Sequence, residues 1–372
     1  MMNGDRSETI QTPIEDQIME RLKERIYRKS HSLNSVRLFD NSIKHFERYM
    51  REKELSIPDI AKSPLQSLDD FSGWLDENGY SPRTVIGDVF AAKRLLKAHG
   101  VKITLEDFKE VVVLPKKRPF EDKKVDVKQI RRIVLACNSS GLKLQLMVMK
   151  DTMARPIEVT GLQLKHFHLD ELELPYLKIP SELSKNDIPR ELFFTLETKE
   201  ILKSYLTEKS ITEQDDYIFL LGYKFTDEKD FQAKLAQKCK NLITAFRKIL
   251  ERKCFADINK KVDGKHKLNR YEIRPYSFKK FAYTVVSDVL GESAAKSMKG
   301  DSDYEQTYYK KTLLERMEGY KKVISKLSVF GASEDVRLET RQQLVNEISD
   351  MSADAQQRLL KSLIDSKNLS KG

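Results

Sequence analysis

Apolar residues recur at three- and four-residue steps along much of the chain, which is the spacing of one face of an α-helix. In the N-terminal third the clearest run extends from Val36 to Met50, and Ser32 is placed to cap that helix. Two further helical runs follow. One ends at Asn78-Gly79, and the other begins at Ser81-Pro82, where proline suits a first helical turn. This part of the chain predicts a small helical bundle.

The rest of the chain combines helical runs with a short alternating stretch. The helical spacing predicts one helix near residues 127–134 and a second, buried one over residues 142–149. Residues 174–180 and 190–196 alternate in the manner of strands and flank a polar tip that carries Lys185. A long helix is predicted from Leu313 onward. The fold class is therefore mostly α with a small β-sheet.

The length of 372 residues exceeds that of a usual single domain, and the 40% hydrophobic content is enough for two cores. Composition and turn signals predict where the domains begin and end. We expect a disordered N-terminus over residues 1–15, a helical domain over 16–106, a basic linker over 107–123, a mixed α/β domain over 124–331 and a helical tail over 332–372.

The charge distribution points to a polyanionic partner. The chain has 67 lysines and arginines against 57 aspartates and glutamates, a net charge of +10, although many ordinary basic proteins share this balance. Basic residues concentrate at 114–124 and 260–280, and the first of these segments either contacts phosphates or is a solvated connector. The predicted DNA-binding residues are Lys116, Lys117, Arg118, Lys265, Lys267, Arg270, Arg274 and Lys280.

Several classes of protein are disfavoured. The three cysteines, Cys137, Cys239 and Cys254, are widely spaced and lack partners at ligand spacing, so neither a disulfide framework nor a zinc site is expected. No apolar run approaches the length of a membrane span, and the first residues are charged, unlike a signal peptide. We expect a cytoplasmic protein without membrane association.

The candidate chemistry lies in the second predicted domain. Arg155 precedes a proline that can open a helix, and Glu158 follows one turn later. From this spacing alone, a surface ion pair between the two is the favoured interpretation. Tyr276 and Lys279 share one face of another helix that a proline opens. A tyrosine pair at 308 and 309 precedes the C-terminal helix; such a pair alone is more typical of packing.

The order of these segments resembles the tyrosine recombinase (phage integrase) family, and most closely its archaeal integrases, over about residues 20–330. Ala154–Leu162 is similar to the first arginine box of the family, and Ser184-Lys185-Asn186 to its β-hairpin lysine. Arg274–Lys280 is similar to the His-x-x-Arg box. Met298–Ser302 stands where Leu-Gly-His-Ser is usual, and Tyr308–Thr312 where archaeal members often have Tyr-Tyr-Arg-Pro-Thr.

The chain departs from the family pattern at three positions. Tyr276 stands at the histidine position and Lys279 at the second arginine position, where a point charge replaces a bidentate guanidinium. The histidine of the third box is absent. Gly300 or Asp301 takes its place, depending on a one-residue gap, and Lys299 stands beside it.

The resemblance implies an N-terminal core-binding, SAM-like domain and a catalytic α/β domain. It also implies site-specific recombination or integration of double-stranded DNA through a 3′-phosphotyrosine intermediate, without metal, ATP or another cofactor. The implied nucleophile is Tyr309, and Arg155, Lys185 and Lys279 stabilise the charge of the transition state. The remaining residues of the implied site are Tyr276 and the accessory Glu158, Lys299 and Asp301.

The family resemblance further implies a homotetramer on two DNA sites, a nucleoid location and a C-terminal segment that docks on a neighbouring protomer. Two other functions remain open from sequence: a catalytically impaired DNA-binding relative, which the departures at Tyr276 and Lys279 favour, and an unrelated basic helical adaptor. Formation of covalent protein–DNA adducts distinguishes a recombinase from an impaired relative. Binding of duplex DNA distinguishes both of these from an adaptor.

Overall fold

The computed structural model of the chain describes residues 13–116, 125–184, 187–261, 271–300, 311–330 and 351–357. These residues divide into two compact units, one formed by residues 13–116 and one by the described residues from Val125 onward. Each unit has its own hydrophobic core.

The first unit is entirely helical within its described residues. Helix α2 packs against α1 and α5, and α4 packs against α5 and α6. The core between them is rich in aromatic side chains, among them Phe46, Phe71 and Trp74. The helices are α1 (Pro13–Ser30), α2 (Leu33–Glu52), α3 (Ile57–Lys62), α4 (Pro64–Glu77), α5 (Pro82–Ala98) and α6 (Leu105–Val111).

Capping residues start these helices where the sequence predicts. The Ser32 hydroxyl accepts a hydrogen bond from the amide of Ser35, and the Ser81 hydroxyl accepts one from the amide of Thr84. Helix α1 begins at Pro13, inside the range predicted as disordered, and the core reaches Val112, inside the range predicted as linker.

The second unit combines helices with a small antiparallel sheet. Helix α8 lies at its centre, where every residue from Leu144 to Thr152 is buried, and it contacts α7, α9, α10, α11 and α12. The elements are α7 (Val127–Leu135), α8 (Ser140–Thr152), α9 (Pro156–Thr160), β1 (Phe167–His168), β2 (Tyr176–Ile179), β3 (Arg190–Phe193), α10 (Leu196–Lys209), α11 (Glu228–Leu250), α12 (Pro275–Leu290), α13 (Glu292–Lys299) and α14 (Leu313–Leu327).

The three strands lie in the order β1-β2-β3, and both pairings are antiparallel. Tyr176 pairs with Phe193 and Ile179 with Arg190, so β2 and β3 form the predicted strand pair. Strand β1 has only two residues, too few for alternation to reveal. The mostly α fold class with a small sheet is confirmed.

A network of buried charges fixes the end of α14. The ammonium of Lys150, which is fully buried, lies 2.8 Å from Asp151 Oδ1 and donates to Glu197 Oε1 at 2.6 Å and to the carbonyl of Leu327 at 2.7 Å. The Glu197 carboxylate also accepts the amide of Val329 at 3.0 Å and that of Phe330 at 3.0 Å. Because each buried charge has an opposite partner and hydrogen bonds, the network is tolerated in the core.

Within the described ranges, no helix is both long enough and apolar enough to cross a bilayer.

Candidate functional site

The first predicted catalytic segment lies at a sharp turn between two helices. Helix α8 ends at Thr152, and Met153 takes a left-handed conformation with φ +57°, which reverses the chain. Arg155 then caps α9, whose first residue is Pro156. The backbone amide of Arg155 donates to Glu158 Oε2 at 2.6 Å, and its Nη1 donates to Glu158 Oε1 at 2.7 Å. Both contacts fix Arg155 at the entrance of the helix.

The Glu158 carboxylate binds a second guanidinium as well. Arg190 Nη2 donates to Glu158 Oε2 at 2.7 Å, so a single carboxylate joins the start of α9 to the start of β3. The spacing of Arg155 and Glu158 correctly indicates an ion pair, but its expected place on the surface is wrong. The Glu158 side chain is 0% exposed and that of Arg155 only 16% exposed. Hydrogen bonds between charged groups are strengthened by such burial.

Arg190 is absent from the residues that the sequence predicts for the site. Its Nη1 donates to the Ser184 hydroxyl at 3.3 Å, and its Nε donates to the carbonyl of Met298 at 3.2 Å. The available signal in the sequence is weak: one arginine at the head of a strand that otherwise continues into Leu192 and Phe193. A charge at the start of a strand usually lies in solvent, whereas this side chain is 5% exposed.

Lys279 lies with these two arginines. It is 1% exposed, and burial lowers its pKa to about 7, with the positive charges of Arg155, Arg190 and Lys299 lowering it further and Glu158 opposing them. We call Arg155, Glu158, Arg190 and Lys279 the Glu158 cluster.

Lys279 also contacts the end of α13, because its ammonium donates to the carbonyl of Lys299 at 3.4 Å. Its neighbour on the helix, Lys280, is half-buried. Lys279, which stands at the position that the family resemblance assigns to the second arginine, is therefore part of the Glu158 cluster.

Four other predicted residues also lie in the described part of the chain. The ring centroid of Tyr276 lies 6.0 Å from the Lys279 ammonium, in agreement with their predicted common face, and Lys299 lies 5.1 Å from the ring of Tyr283. Arg274 caps α12, where its backbone amide donates to Ser277 Oγ at 3.1 Å. Lys116, in the first unit, is exposed.

The remaining predicted residues lie outside the part of the chain that the structure describes. Their assignments stay predictions. They are Lys117, Arg118, Lys185, Lys265, Lys267, Arg270, Asp301, Tyr308 and Tyr309. Gly300, the alternative to Asp301 in the third box, ends α13 in a left-handed conformation with φ +72°.

Among the described residues, no three or more His, Cys, Asp or Glu side chains are grouped to hold a metal ion. The three cysteines, all of them described, form no disulfide.

Comparison with known proteins places the fold. No protein-family model matches the chain. The tyrosine recombinase XerA of Saccharolobus solfataricus is 30% identical over 135 residues, which cover 36% of this chain and 41% of that relative. The chain thus matches less than half the length of this curated relative.

Solved structures match over a longer range. The XerH site-specific recombinase in a post-cleavage complex with difH substrate covers 82% of this chain and 83% of its own, with a TM-score of 0.51 and 14% identity. A lambda integrase dimer bound to a COC' core site covers 80% and 98%, with a TM-score of 0.50 and 11% identity. A lambda integrase tetramer bound to a Holliday junction covers 83% and 86%, with a TM-score of 0.51 and 12% identity.

At these identities the structural matches show the fold alone, and that fold is the one of site-specific recombinases. The matched XerA relative is a tyrosine recombinase and archaeal. The resemblance to tyrosine recombinases that the sequence predicts, including its archaeal side, is confirmed.

Proposed function

We propose that this chain is a site-specific DNA recombinase that cuts and rejoins DNA through a 3′-phosphotyrosine intermediate, without metal or ATP. The supporting observation is the Glu158 cluster, in which Arg155 and Arg190 donate to one buried carboxylate and the charges of all three act on the buried Lys279 ammonium. Arg155, Glu158 and Lys279 belong to the segments that the resemblance identifies with the arginine boxes of the family, and Arg190 comes from β3. The fold that carries the cluster is similar to that of site-specific recombinases.

The proposed chemistry needs positive charge near the scissile phosphate. Transfer of a phosphodiester passes through a five-coordinate, phosphorane-like transition state. This state carries more negative charge than the ground state, so nearby cations stabilise it selectively. The planar guanidinium of Arg155 can donate to two phosphate oxygens, and Lys279 supplies a compact charge. Glu158 orients Arg155 before DNA arrives, so little reorganisation accompanies the reaction.

The proposed nucleophile is Tyr309. A free phenol has a pKa of about 10, so it attacks poorly unless nearby cations favour the phenolate. Attack on phosphorus forms the phosphotyrosine bond and releases the 5′ oxygen, which takes a proton. The reverse attack by a 5′-hydroxyl rejoins the strand and releases the tyrosine. Lys185 and Lys299 are proposed to add positive charge during both steps.

The second candidate function is that of a DNA-binding relative with impaired cleavage. Lys279 has a pKa of about 7 and therefore is only partly charged near neutral pH, and it stands where the family has an arginine. This observation favours a DNA-binding relative with impaired cleavage.

Trapping on a suicide substrate decides between the two functions. A nicked duplex loses a short 5′-hydroxyl fragment after cleavage, so the covalent adduct accumulates and is visible in denaturing gels. We expect the wild-type protein to form this adduct on a site that it binds. Binding without an adduct would favour the impaired relative, and failure to bind any duplex would favour an unrelated adaptor.

The affinity for duplex DNA is expected to fall steeply with salt. If the eight predicted DNA-binding residues all contact phosphates, the slope of log K against log salt concentration is about −7. Replacing both Lys117 and Arg118 by alanine should reduce the magnitude of this slope by about two. Fluorescence anisotropy over a salt series measures it, with Lys62→Ala, a change at an exposed lysine paired with Asp59, as the control. Affinity that does not vary with salt would contradict this prediction.

Replacing Lys279 by arginine is expected to keep or raise cleavage and to change its pH dependence. In the wild-type protein the rate at low DNA concentration should fall as pH rises above about 7, because Lys279 loses its charge there. An arginine stays protonated over this range, so Lys279→Arg should lack the decline.

Loss of the Lys279 proton at higher pH should lower the rate of cleavage but favour the folded state. Its pKa in the folded chain is about 7, below the usual 10.5, so the unfolded chain binds more protons between these values. The contribution of Lys279 to the free energy of unfolding therefore rises with pH, while cleavage falls. Single-turnover rates and denaturant titrations at several pH values test both. Identical pH profiles in the wild-type and Lys279→Arg proteins would contradict the role of Lys279 in cleavage. An inactive Lys279→Arg would point to Lys280 instead.

The proposed partners are double-stranded DNA and further copies of this chain. A homotetramer on two DNA sites is supported by the similarity in fold to lambda integrase, which is known as a tetramer bound to a Holliday junction. A DNA-bound protein of this kind would be associated with the nucleoid. The helical domain over residues 16–106 and the catalytic domain over 124–331 are both proposed to contact DNA.

A further inference from the structure

The side chain of Arg190 joins three segments that the proposed function requires. It donates to Glu158, which holds Arg155, at 2.7 Å and to the hydroxyl of Ser184, the residue before Lys185, at 3.3 Å. Its Nε donates to the carbonyl of Met298 at 3.2 Å, close to the end of α13. Along the chain, Glu158, Ser184 and Met298 are separated from Arg190 by 32, 6 and 108 positions.

The approach of the third segment to Arg190 depends on a glycine. A Cβ atom added at Gly300 would lie 2.8 Å from Arg190 Nη1, closer than such atoms normally approach. Gly300 also has φ +72°, a conformation that residues with a side chain rarely adopt. Gly300 therefore lets the chain pass directly over the guanidinium.

Strand β3 contacts both ends of the segment that contains the tyrosine pair. Met298 contacts Arg190 on the N-terminal side of that segment. On its C-terminal side, Arg316 in the first turns of α14 donates to Glu191 Oε2 at 2.6 Å and to the Glu191 carbonyl at 3.2 Å. Arg190 and Glu191 are adjacent, so one short strand contacts both α13, which precedes residues 301–310 in the chain, and α14, which follows them.

We propose that Arg190 is a positioning residue that fixes Arg155, the β2–β3 connection at Ser184 and the end of α13 at Met298 together. The inference rests on the proposed function. With only 5% of its side chain exposed, Arg190 presents little surface to DNA, and it acts through the groups it binds. It orients Arg155 through Glu158, and it contacts the β2–β3 connection at Ser184 and α13 at Met298.

A lysine cannot replace Arg190 in this role. The guanidinium has five N–H donors in a planar fork, whereas an ammonium is a single point charge at the end of a flexible chain. Lysine at 190 keeps the charge beside Glu158 but loses the simultaneous contacts to Ser184 and Met298. Misplacement of catalytic groups by about 1 Å can reduce a rate by about 100-fold.

The first test compares cleavage with binding in Arg190→Lys. We expect the single-turnover rate of adduct formation to fall about 100-fold while the dissociation constant for duplex DNA changes less than about threefold. Arg132→Lys is the control, because Arg132 similarly joins distant residues by contacts to Asp257 and to the Cys254 carbonyl but lies outside the Glu158 cluster. Equal losses in both variants, or a wild-type rate in Arg190→Lys, would overturn the proposal.

The second test uses glycines with matched conformations. Gly300→Ala should reduce cleavage in the same way as Arg190→Lys, because the new methyl group displaces the guanidinium. Gly222→Ala introduces a side chain at a similar φ of +77°, but nothing lies within 4 Å of its Cβ position. It should therefore lose some stability and keep its rate of cleavage. Equal rates in the two alanine variants would overturn the role given to Gly300 and Arg190.

A third measurement requires no chemistry on DNA. Hydrogen exchange at the amides of residues 296–300 should be at least about tenfold faster in Arg190→Lys than in the wild-type and Arg132→Lys proteins, because the contact to Met298 is lost. Unchanged exchange there would overturn the proposal. If the wild-type protein formed no adduct, the proposed function would fail, and the exchange rates would still decide whether Arg190 positions this segment.

Discussion

Tyr309→Phe is expected to eliminate the covalent protein–DNA adduct, and Tyr308→Phe is expected to retain it. Phenylalanine removes the attacking oxygen and preserves the ring, so packing changes little. Because adjacent side chains point in different directions, about 100° apart on a helix and to opposite faces of a strand, only one of the two tyrosines is expected to face the cations of the site. The expected loss for the correct tyrosine is complete, since no other group can form the same bond.

The preference for Tyr309 comes from the residues that follow it. Tyr309-Lys-Lys-Thr aligns with the archaeal Tyr-Arg-Pro-Thr, in which the second tyrosine of the pair is reactive. The threonine of this match, Thr312, caps α14 by accepting the amide of Glu315 at 3.2 Å. Counting from the third box does not decide, because its histidine is absent.

Denaturing gels of trapped suicide substrates measure the outcome for both variants. Each variant is first shown to bind the same DNA site with wild-type affinity, so that a missing adduct reports chemistry. An adduct that persists in Tyr309→Phe but disappears in Tyr308→Phe would reverse the assignment.

Arg155→Ala is expected to abolish cleavage, by about 1,000-fold or more, while DNA binding remains largely intact. The estimate follows from the effect of removing donors or an arginine that stabilise charge in a transition state. The change should not unfold the protein, because Arg190 still pairs with the buried Glu158. Lys185→Ala is expected to have the same pattern, from the tip of the hairpin.

Effects on cleavage and on DNA binding are separated by measuring the rate of adduct formation and the dissociation constant on the same duplex. Arg155→Lys keeps a charge without the bidentate geometry and should fall between the wild-type and Arg155→Ala proteins. Arg132→Ala, at a distant ion pair with Asp257, is the control for loss of an arginine. If Arg155→Ala lost binding in parallel with cleavage, Arg155 would be a DNA-contacting residue without a role in the transition state.

Those parts of the site that depend on local spacing could be predicted from the sequence. Arg155 and Glu158 lie three residues apart at a helix entrance, so their pairing follows from helical geometry. Tyr276 and Lys279 share a helical face for the same reason. The β2–β3 pair is visible because apolar residues alternate on both sides of a polar tip.

Contacts between distant segments could not be predicted in this way. The burial of Glu158 depends on Arg190, 32 residues away, and nothing local marks either side chain as buried. Helix α11, of 23 residues, was not predicted, although its buried Leu235, Leu242, Phe246 and Ile249 recur at helical spacing. The lowered pKa of Lys279 likewise arises only in the folded chain, which buries the ammonium and brings three other cations near it.

The buried network around Lys150 has a mechanical consequence for the C-terminal tail. Because Glu197 binds the amides of Val329 and Phe330, and Lys150 binds the carbonyl of Leu327, a pull on residues 331–372 is borne by the core. Little of that load reaches the first turn of α14, which follows the proposed nucleophile. Shortening or lengthening the chain beyond Phe330 is therefore expected to leave α14 anchored and its N-terminal cap at Thr312 unchanged.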